Sequence, residues 1–231
     1  MKKILFLLVA IALFASSCTS TKTALRSEAY KGMYAEKPLT VLLMPPINKS
    51  TNVEAKEYFH STLNMPINNA GYYVIPQILS MEILKKESAY DAENFINSPL
   101  NKFGEIFGAD LVLFTVINRW DKSGLAAKII VDVEYIFKST KTNEIVYTRK
   151  GTVTYDASIN TGAPGALGLL ANMAASAINT AATKYVDVAR ACNAYTFKDL
   201  PAGEYSPLYG TDGTLPSGKN GFRVTLNSSY R

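Results

Sequence analysis

The chain has few of the side chains on which most catalytic and metal sites are built. Its 231 residues include one histidine, His60, two cysteines, Cys18 and Cys192, and one tryptophan, Trp120. A lone histidine without cysteine or carboxylate ligands at a suitable spacing does not form a zinc site, and His60 has no nucleophilic serine or cysteine motif to serve. We therefore expect no metal ion, no cofactor and no catalytic centre.

Two cysteines also exclude a framework of disulfides. Cys192 lies at helical spacing from Tyr185 and Val188, so we expect a buried and unreactive thiol. The formal net charge of +5 is mild and no basic stripe is present, so a nucleic acid is not an expected partner. The common hydrolase mechanisms lack their nucleophile–histidine pair here, although a glycosidase that uses carboxylates alone stays open.

The amino terminus has the segments of a secretory signal in their usual order. Lys2 and Lys3 precede an apolar run from Ile4 to Phe14, and three small residues, 15–17, lead to Cys18. The run is too short to span a bilayer as a mature helix. A cysteine directly after Ala-Ser-Ser resembles the bacterial lipobox, and this resemblance implies that Cys18 carries a diacylglycerol and a further acyl chain. An ordinary cleaved signal that ends near a cysteine is the alternative.

Two or more acyl chains hold a protein firmly on a membrane. Thr19 follows Cys18 and no acidic cluster comes after it. We therefore expect a lipid anchor in the outer membrane of a Gram-negative bacterium, with the protein facing the periplasm.

The composition along the chain predicts four segments. Residues 1–17 are the signal peptide, and residues 18–37 are polar, without apolar periodicity, and predict a lipidated flexible tether. Residues 38–200 predict a single α/β domain. Residues 201–231, rich in Gly, Pro and Tyr, predict an extended tail packed on that domain.

The apolar pattern of the domain predicts a mixed sheet of about five strands. Thr40 to Met44 and Tyr72 to Ile75 are short apolar strands, each followed by a helical pattern, which indicates a parallel βαβα start. Leu111 to Ile117, the alternating run Lys128 to Lys138 and Ile145 to Tyr155 indicate an antiparallel meander with one wet face.

A helical pattern from about Gly165 to Tyr195 predicts one long carboxyl-terminal helix, and no charged residue occurs between Asp156 and Lys184. We expect the sheet to cover one apolar face of this helix, formed by Leu167, Leu170, Ala174 and Ile178. A second, smooth face consists of Ala171, Ala175 and Ala182. Small residues let helices approach closely, so this face predicts an interface with a second copy or with a neighbouring lipoprotein. Coverage by the tail is the alternative.

One polar loop lies where open α/β sheets tend to bind ligands, between the carboxyl end of a strand and the start of a helix. Its residues are Asn48, Lys49, Ser50, Thr51 and Asn52. A small ligand or a partner is one interpretation, and a loop that only caps the helix is the other.

Several stretches together resemble a family of Gram-negative lipoproteins of unknown function, known from the meningococcus. The four stretches are Asn48 to Ser50, Ala70 to Pro76, Ile106 to Asp110 and Gly165 to Leu170. The resemblance implies a fold like the amino-terminal domain of the Tol translocation periplasmic protein, and genes beside lipoproteins similar to the curli secretion channel. It implies no enzyme activity and no binding residues other than Cys18.

These observations predict a membrane-anchored periplasmic lipoprotein that acts without catalysis, as a binding or assembly component of the cell envelope. Its expected partners are the membrane, other envelope lipoproteins of a secretion or transport system, and a second copy of itself. The alternatives are a ligand-binding module that uses the loop from Asn48 to Asn52, and a cell-wall hydrolase.

Overall fold

The first apolar run of the domain forms two short strands rather than one. The computed structural model describes residues 23–123, 127–160, 162, 164–182, 184–227 and 230. Strand β1 is Thr40–Leu43 and strand β2 is Ile47–Asn48. Pro45 and Pro46 lie between them and have no backbone N–H to donate, which ends β1. Strand β1 pairs in parallel with β3 (Tyr73–Val74) and with β4 (Leu111–Ser123).

Within the described residues the sheet has seven strands, so the expected number of about five is wrong. Strands β4, β5 (Lys128–Ser139) and β6 (Ile145–Asp156) form the antiparallel meander. Strand β2 pairs in parallel with β4, and β7 (Gly221–Leu226) pairs in parallel with β6. The order is β3-β1-β4-β5-β6-β7, with β2 also on β4. The mixed α/β class with a parallel start and an antiparallel meander is confirmed, and the likeness to the Tol domain stays a prediction.

Helices cover parts of both faces of the sheet. On one face α3 (Ala55–Asn69) packs with a carboxyl-terminal helix, and Phe59, Leu63 and Cys192 join the larger core. On the other face α4 (Gln77–Lys86) and α5 (Asn101–Phe107) enclose a smaller core around Phe114. Strand β5 alternates between buried and half-buried side chains, as its sequence predicts for a strand with one wet face.

The segment expected to be a flexible tether is folded over much of its length. Residues Arg26–Ala29 form α1 and residues Lys31–Glu36 form α2. Tyr30 and Met33 are buried in the larger core, and these two side chains give the segment apolar area to bury although its composition is polar. The tether prediction is therefore wrong for residues 26–36, whereas residues 18–22 lie outside the described residues.

The long carboxyl-terminal helix is divided in two, so the expectation of one continuous helix is wrong. Helix α6 is Gly165–Ala182 and helix α7 is Tyr185–Phe197. Lys184 has an extended backbone with ψ of 119°, which interrupts the helical hydrogen bonds. Helix α7 buries Val188 and Cys192 in the core, whereas α6 lies outside it, and the break lets each helix take its own position.

Candidate interaction surface

The loop from Asn48 to Asn52 uses its polar groups on itself. Asn48 Nδ2 donates to the Asn52 carbonyl oxygen at 2.7 Å, and Asn48 Oδ1 accepts from the Ser50 backbone N–H at 3.0 Å and from its hydroxyl at 2.7 Å. Asn52 Oδ1 in turn accepts from the Glu54 N–H at 3.1 Å. These bonds hold the loop in shape and so favour a structural role over a ligand site. No loop side chain caps α3, whose N-cap residue is Glu54, so the loop does not cap the helix as the alternative predicts.

Two loop residues, Lys49 and Thr51, are exposed to solvent. The backbone N–H of Lys49 donates to the Ile117 carbonyl oxygen of β4 at 2.8 Å, so the loop is fixed to the sheet. Lys49 and Thr51 are therefore the members of this predicted site whose side chains remain most accessible.

The polar side of α6 faces the protein. Asn172, Ser176 and Asn179 recur at helical spacing and contact the segment that follows β6. Asn179 Nδ2 donates to the Ala157 carbonyl oxygen at 2.7 Å, and Ser176 Oγ accepts from the Ile159 N–H at 2.7 Å. A surface helix normally turns its apolar stripe inward, so α6 has the opposite orientation.

The apolar side of α6 faces solvent. Leu169 and Leu170 are each 62% exposed, Met173 is 53% exposed and Ile178 is 70% exposed. The expectation that the sheet covers Leu170 and Ile178 is therefore wrong. Leu167 belongs to the same predicted face, but its side chain lies outside the described part of the structure.

The residues predicted as an interface lie at different depths. Ala171 is exposed, Ala175 is half-buried toward the side of α6 that contacts the protein, and the side chain of Ala182 lies outside the described part. Sequence reasoning did not identify Leu169 and Met173 as members of the exposed face. It did identify Leu170 and Ile178, but as residues that face the sheet. The spacing of Asn172, Ser176 and Asn179 is the signal that indicates which side of α6 turns inward.

The two ends of the domain meet at the other end of the sheet from α6. Arg26 Nη1 lies 3.1 Å from Asp212 Oδ2, the Arg26 N–H donates to the Leu215 carbonyl oxygen at 2.9 Å, and the Ser217 N–H donates to the Ala24 carbonyl oxygen at 2.8 Å. We call the contacts of residues 24–30 with residues 199–218 the terminal clasp.

Arg149 of β6 lies at the centre of the terminal clasp. Its guanidinium donates to Tyr30 Oη and to Asp199 Oδ2, and the Gly218 N–H donates to the same carboxylate oxygen. All three side chains, those of Tyr30, Arg149 and Asp199, belong to buried residues. Burial and the neighbouring Asp199 raise the pKa of Tyr30 to about 12, so its hydroxyl stays protonated at neutral pH.

Strand β6 separates α6 from the terminal clasp. Asp156, at its end, lies seven residues beyond Arg149, or about 23 Å along an extended strand. Tyr185, at the start of α7, packs on Trp120 with ring centroids 5.7 Å apart, and Trp120 pairs with Val131 in the same distant half of the sheet. Both ends of α6 therefore connect to the part of the sheet that is remote from the clasp.

Neither a metal centre nor a membrane span is found where the structure describes the chain. In that part, no three histidine, cysteine, aspartate or glutamate side chains are grouped as metal ligands are. No described helix is long and apolar enough to cross a bilayer. His60 is partly buried on α3, and burial lowers its pKa below the usual 6.5, as expected for a structural histidine.

Comparison with known proteins identifies the family. The model of a family described as "Putative lipoprotein GNA1162-like" matches residues 28–207. The chain belongs to this family. The resemblance that the four sequence stretches predict is thereby confirmed.

Individual relatives of this GNA1162-like chain are distant. It is 27% identical over 161 residues to the Neisseria meningitidis protein named "Putative lipoprotein NMB1124/NMB1162", over 68% of this chain and 72% of the relative. The crystal structure of lipoprotein GNA1162 from Neisseria meningitidis is 21% identical with a TM-score of 0.47, over 64% of this chain and 100% of that one. The LpoB carboxyl-terminal domain from Escherichia coli is 14% identical with a TM-score of 0.38, over 56% and 94%.

The stretch from Ala70 to Pro76 has a clear structural role in this GNA1162-like chain. Gly71 has φ of +95°, and a Cβ on it would overlap Gly203 and Ser206 of the tail. The Gly203 N–H donates to the Ala70 carbonyl oxygen at 2.8 Å, and Tyr72 Oη donates to the Pro201 carbonyl oxygen at 2.8 Å. The motif is therefore the place where the tail begins to wrap around the domain.

Proposed function

We propose that the GNA1162-like chain is a lipid-anchored component of the cell envelope that assembles with other proteins and performs no catalysis. Cys18 carries the acyl chains in the outer membrane, and the domain faces the periplasm. Other lipoproteins of a secretion or transport system are the partner class. Membership of a lipoprotein family supports the anchor, and the orientation of α6 supports the docking role.

The observation that carries the docking role is the outward apolar face of α6. Leu170, Met173 and Ile178 remain in solvent although the helix has polar residues that face the protein. Contiguous exposed apolar patches on soluble domains mark sites of interaction with proteins or membranes. Keeping this face free of charge allows a partner to cover it without burying an unpaired ion.

The position of the anchor supports a protein as the partner. Ala24, the first residue of the terminal clasp, is the sixth residue after Cys18. Six extended residues span at most about 20–22 Å, so the anchor holds the clasp end of the domain close to the bilayer. Helix α6, at the other end of β6, is then presented to the periplasm.

The anchor is tested by replacing Cys18 with serine in cells that make the full chain. We expect the wild-type protein to stay in the membrane pellet through a high-salt wash and to incorporate labelled fatty acid. The Cys18→Ser protein should be unprocessed or soluble and unlabelled. A variant that is processed and pellets like the wild type contradicts the lipid anchor.

The docking role is tested with two isoleucines that differ in position only. Ile178 on α6 is 70% exposed and Ile78 on α4 is 86% exposed. After chemical crosslinking in intact cells, tagged wild-type protein and the Ile78→Glu control should recover the same partner proteins. The Ile178→Glu protein should lose them, because docking would bury its carboxylate. Equal recovery by all three proteins refutes docking through α6.

A further inference from the structure

We infer that the partner of the outward face of α6 is α6 of a second copy of the chain, in an antiparallel helix pair centred on Ala174. The inference rests on the proposed docking role of α6 and assigns its occupant. It is carried by the shape of the face, by its lack of charge and by its position relative to the anchor.

The shape of the face fits another helix. Leu170, Ala174 and Ala177 follow one another at spacings of four and three residues, which places them on one line along the helix. Ala174 and Ala177 are exposed, and Met173 and Ile178 stand on either side of this line. Two small residues in the middle with larger ones around them form a shallow groove. A second helix seated there reaches the short interaxial distances that alanine contacts permit.

The lack of charge narrows the choice of occupant. Of the seven α-helices in the described part of the chain, α6 alone has no charged residue. A charged partner surface would lose its hydration on this face without gaining an opposite charge. An α6 from a second copy has no charge that would lose its hydration, and the pairing brings no like charges together. The bilayer is the other uncharged medium, but the anchor holds the opposite end of the domain against it.

An antiparallel arrangement makes the face complementary to itself. With a twofold axis at Ala174, Leu170 of one copy lies opposite Ile178 of the other, and the two Ala174 residues face each other. Large side chains then meet at both ends of the pair and small ones at its centre. Every contact away from the axis occurs twice, as in any twofold interface, and the helix dipoles are opposed, which is the favourable orientation.

The test uses cysteine crosslinking of the full, membrane-anchored chain. The native Cys192 is buried and has no disulfide, so the wild type should not crosslink. Under mild oxidation, Ala174→Cys should give about tenfold more disulfide-linked dimer than the exposed control Ile78→Cys, because pairing raises the local thiol concentration. All variants should show the protease resistance of the wild type, since positions 78 and 174 are exposed.

The direction of the pair is tested with two differently tagged copies in one cell. A Leu170→Cys copy and an Ile178→Cys copy should crosslink to each other. Leu170→Cys alone should not, because in the antiparallel pair its two thiols are eight residues, about 12 Å, apart along the axis. A parallel pair reverses this result and overturns the arrangement.

Failure of this inference is distinguishable from failure of the docking role. If Ala174→Cys gives no more dimer than Ile78→Cys, the second copy is not the occupant. If Ile178→Glu nevertheless loses its partner proteins, the docking role stands and another protein covers the face. If Ala174→Cys gives no excess dimer and Ile178→Glu keeps its partner proteins, both proposals are refuted.

Discussion

Replacing Arg149 with methionine removes the charge at the centre of the terminal clasp and keeps most of the side-chain volume. The guanidinium binds Asp199 and Tyr30, and its side chain is 4% exposed. Without it, Asp199 retains the Gly218 N–H and the Tyr30 hydroxyl, the latter at 3.3 Å, but has no cation. The variant therefore leaves a nearly buried carboxylate without its counter-charge.

The expected cost follows from that arrangement. Removing one partner of a buried ion pair lowers the free energy of unfolding by about 3–5 kcal/mol. We expect the lower end, about 3 kcal/mol, because the carboxylate keeps two hydrogen-bond donors. For a domain of this size such a loss lowers the melting temperature by about 6–12 °C.

The neighbouring residue supplies the control. Lys150 points to the wet face of the same strand, lies 3.9 Å from Glu134 and has a side chain that is 67% exposed. Lys150→Met should change the free energy of unfolding by no more than about 0.5 kcal/mol. Urea unfolding of an unlipidated chain that starts at residue 19 measures the free energy of unfolding of both variants. Arg149→Met combined with Asp199→Leu should cost less than the two single changes together. Equal effects of Arg149→Met and Lys150→Met refute the reasoning.

Three further results are expected. Gly151→Ala should cost about 1–3 kcal/mol, because its Cβ would overlap the ring of Phe222 on β7; an unchanged urea midpoint contradicts this packing. Burial lowers the pKa of His60 below 6.5, so the unfolded chain takes up its proton first as the pH falls. The contribution of His60 to the free energy of unfolding should be fully present above about pH 6.5 and should fall below it, by at most about 1.4 kcal/mol per pH unit. The His60→Gln variant should lose this dependence between pH 7.5 and 5.5. Burial raises the pKa of the Cys192 thiol, so a thiol dye should label it in urea only, and rapid labelling of native protein would show that it is accessible.

The central strands could be predicted from the sequence because their apolar patterns are set by burial on the sheet. The alternation along β5 indicates both its face toward the core and its wet face. Strand β2 could not be predicted, because its two residues follow two prolines and a segment of two residues is too short to show a periodic pattern. Strand β7 alternates between exposed and partly buried residues until its buried last residue, Leu226, and its pairing with β6 depends on the tail returning from the clasp.

The orientation of α6 could not be predicted by the rule that apolar residues point inward. That rule assumes that the free energy of burial decides which side of a helix meets the sheet. Here Ser176 and Asn179 satisfy backbone groups of residues 157–159, and unsatisfied buried groups cost about as much as a lost apolar contact. The polar stripe was visible in the sequence, but its partners, Ala157 and Ile159, lie in a segment with no recognisable pattern.

The two ends of the domain differ in how firmly they are held. At the clasp, a buried ion pair, backbone bonds and the aromatic rings of Tyr30 and Tyr147 join both ends of the chain to β6. At α6, hydrogen bonds join the helix to residues 157–159, and Leu170, Met173 and Ile178 are still in water. Local opening follows such differences, so the clasp should open last and α6 should be displaced more easily than the clasp. A firmly held clasp and an adjustable, uncharged helix at the other end of β6 are what the proposed docking through α6 requires.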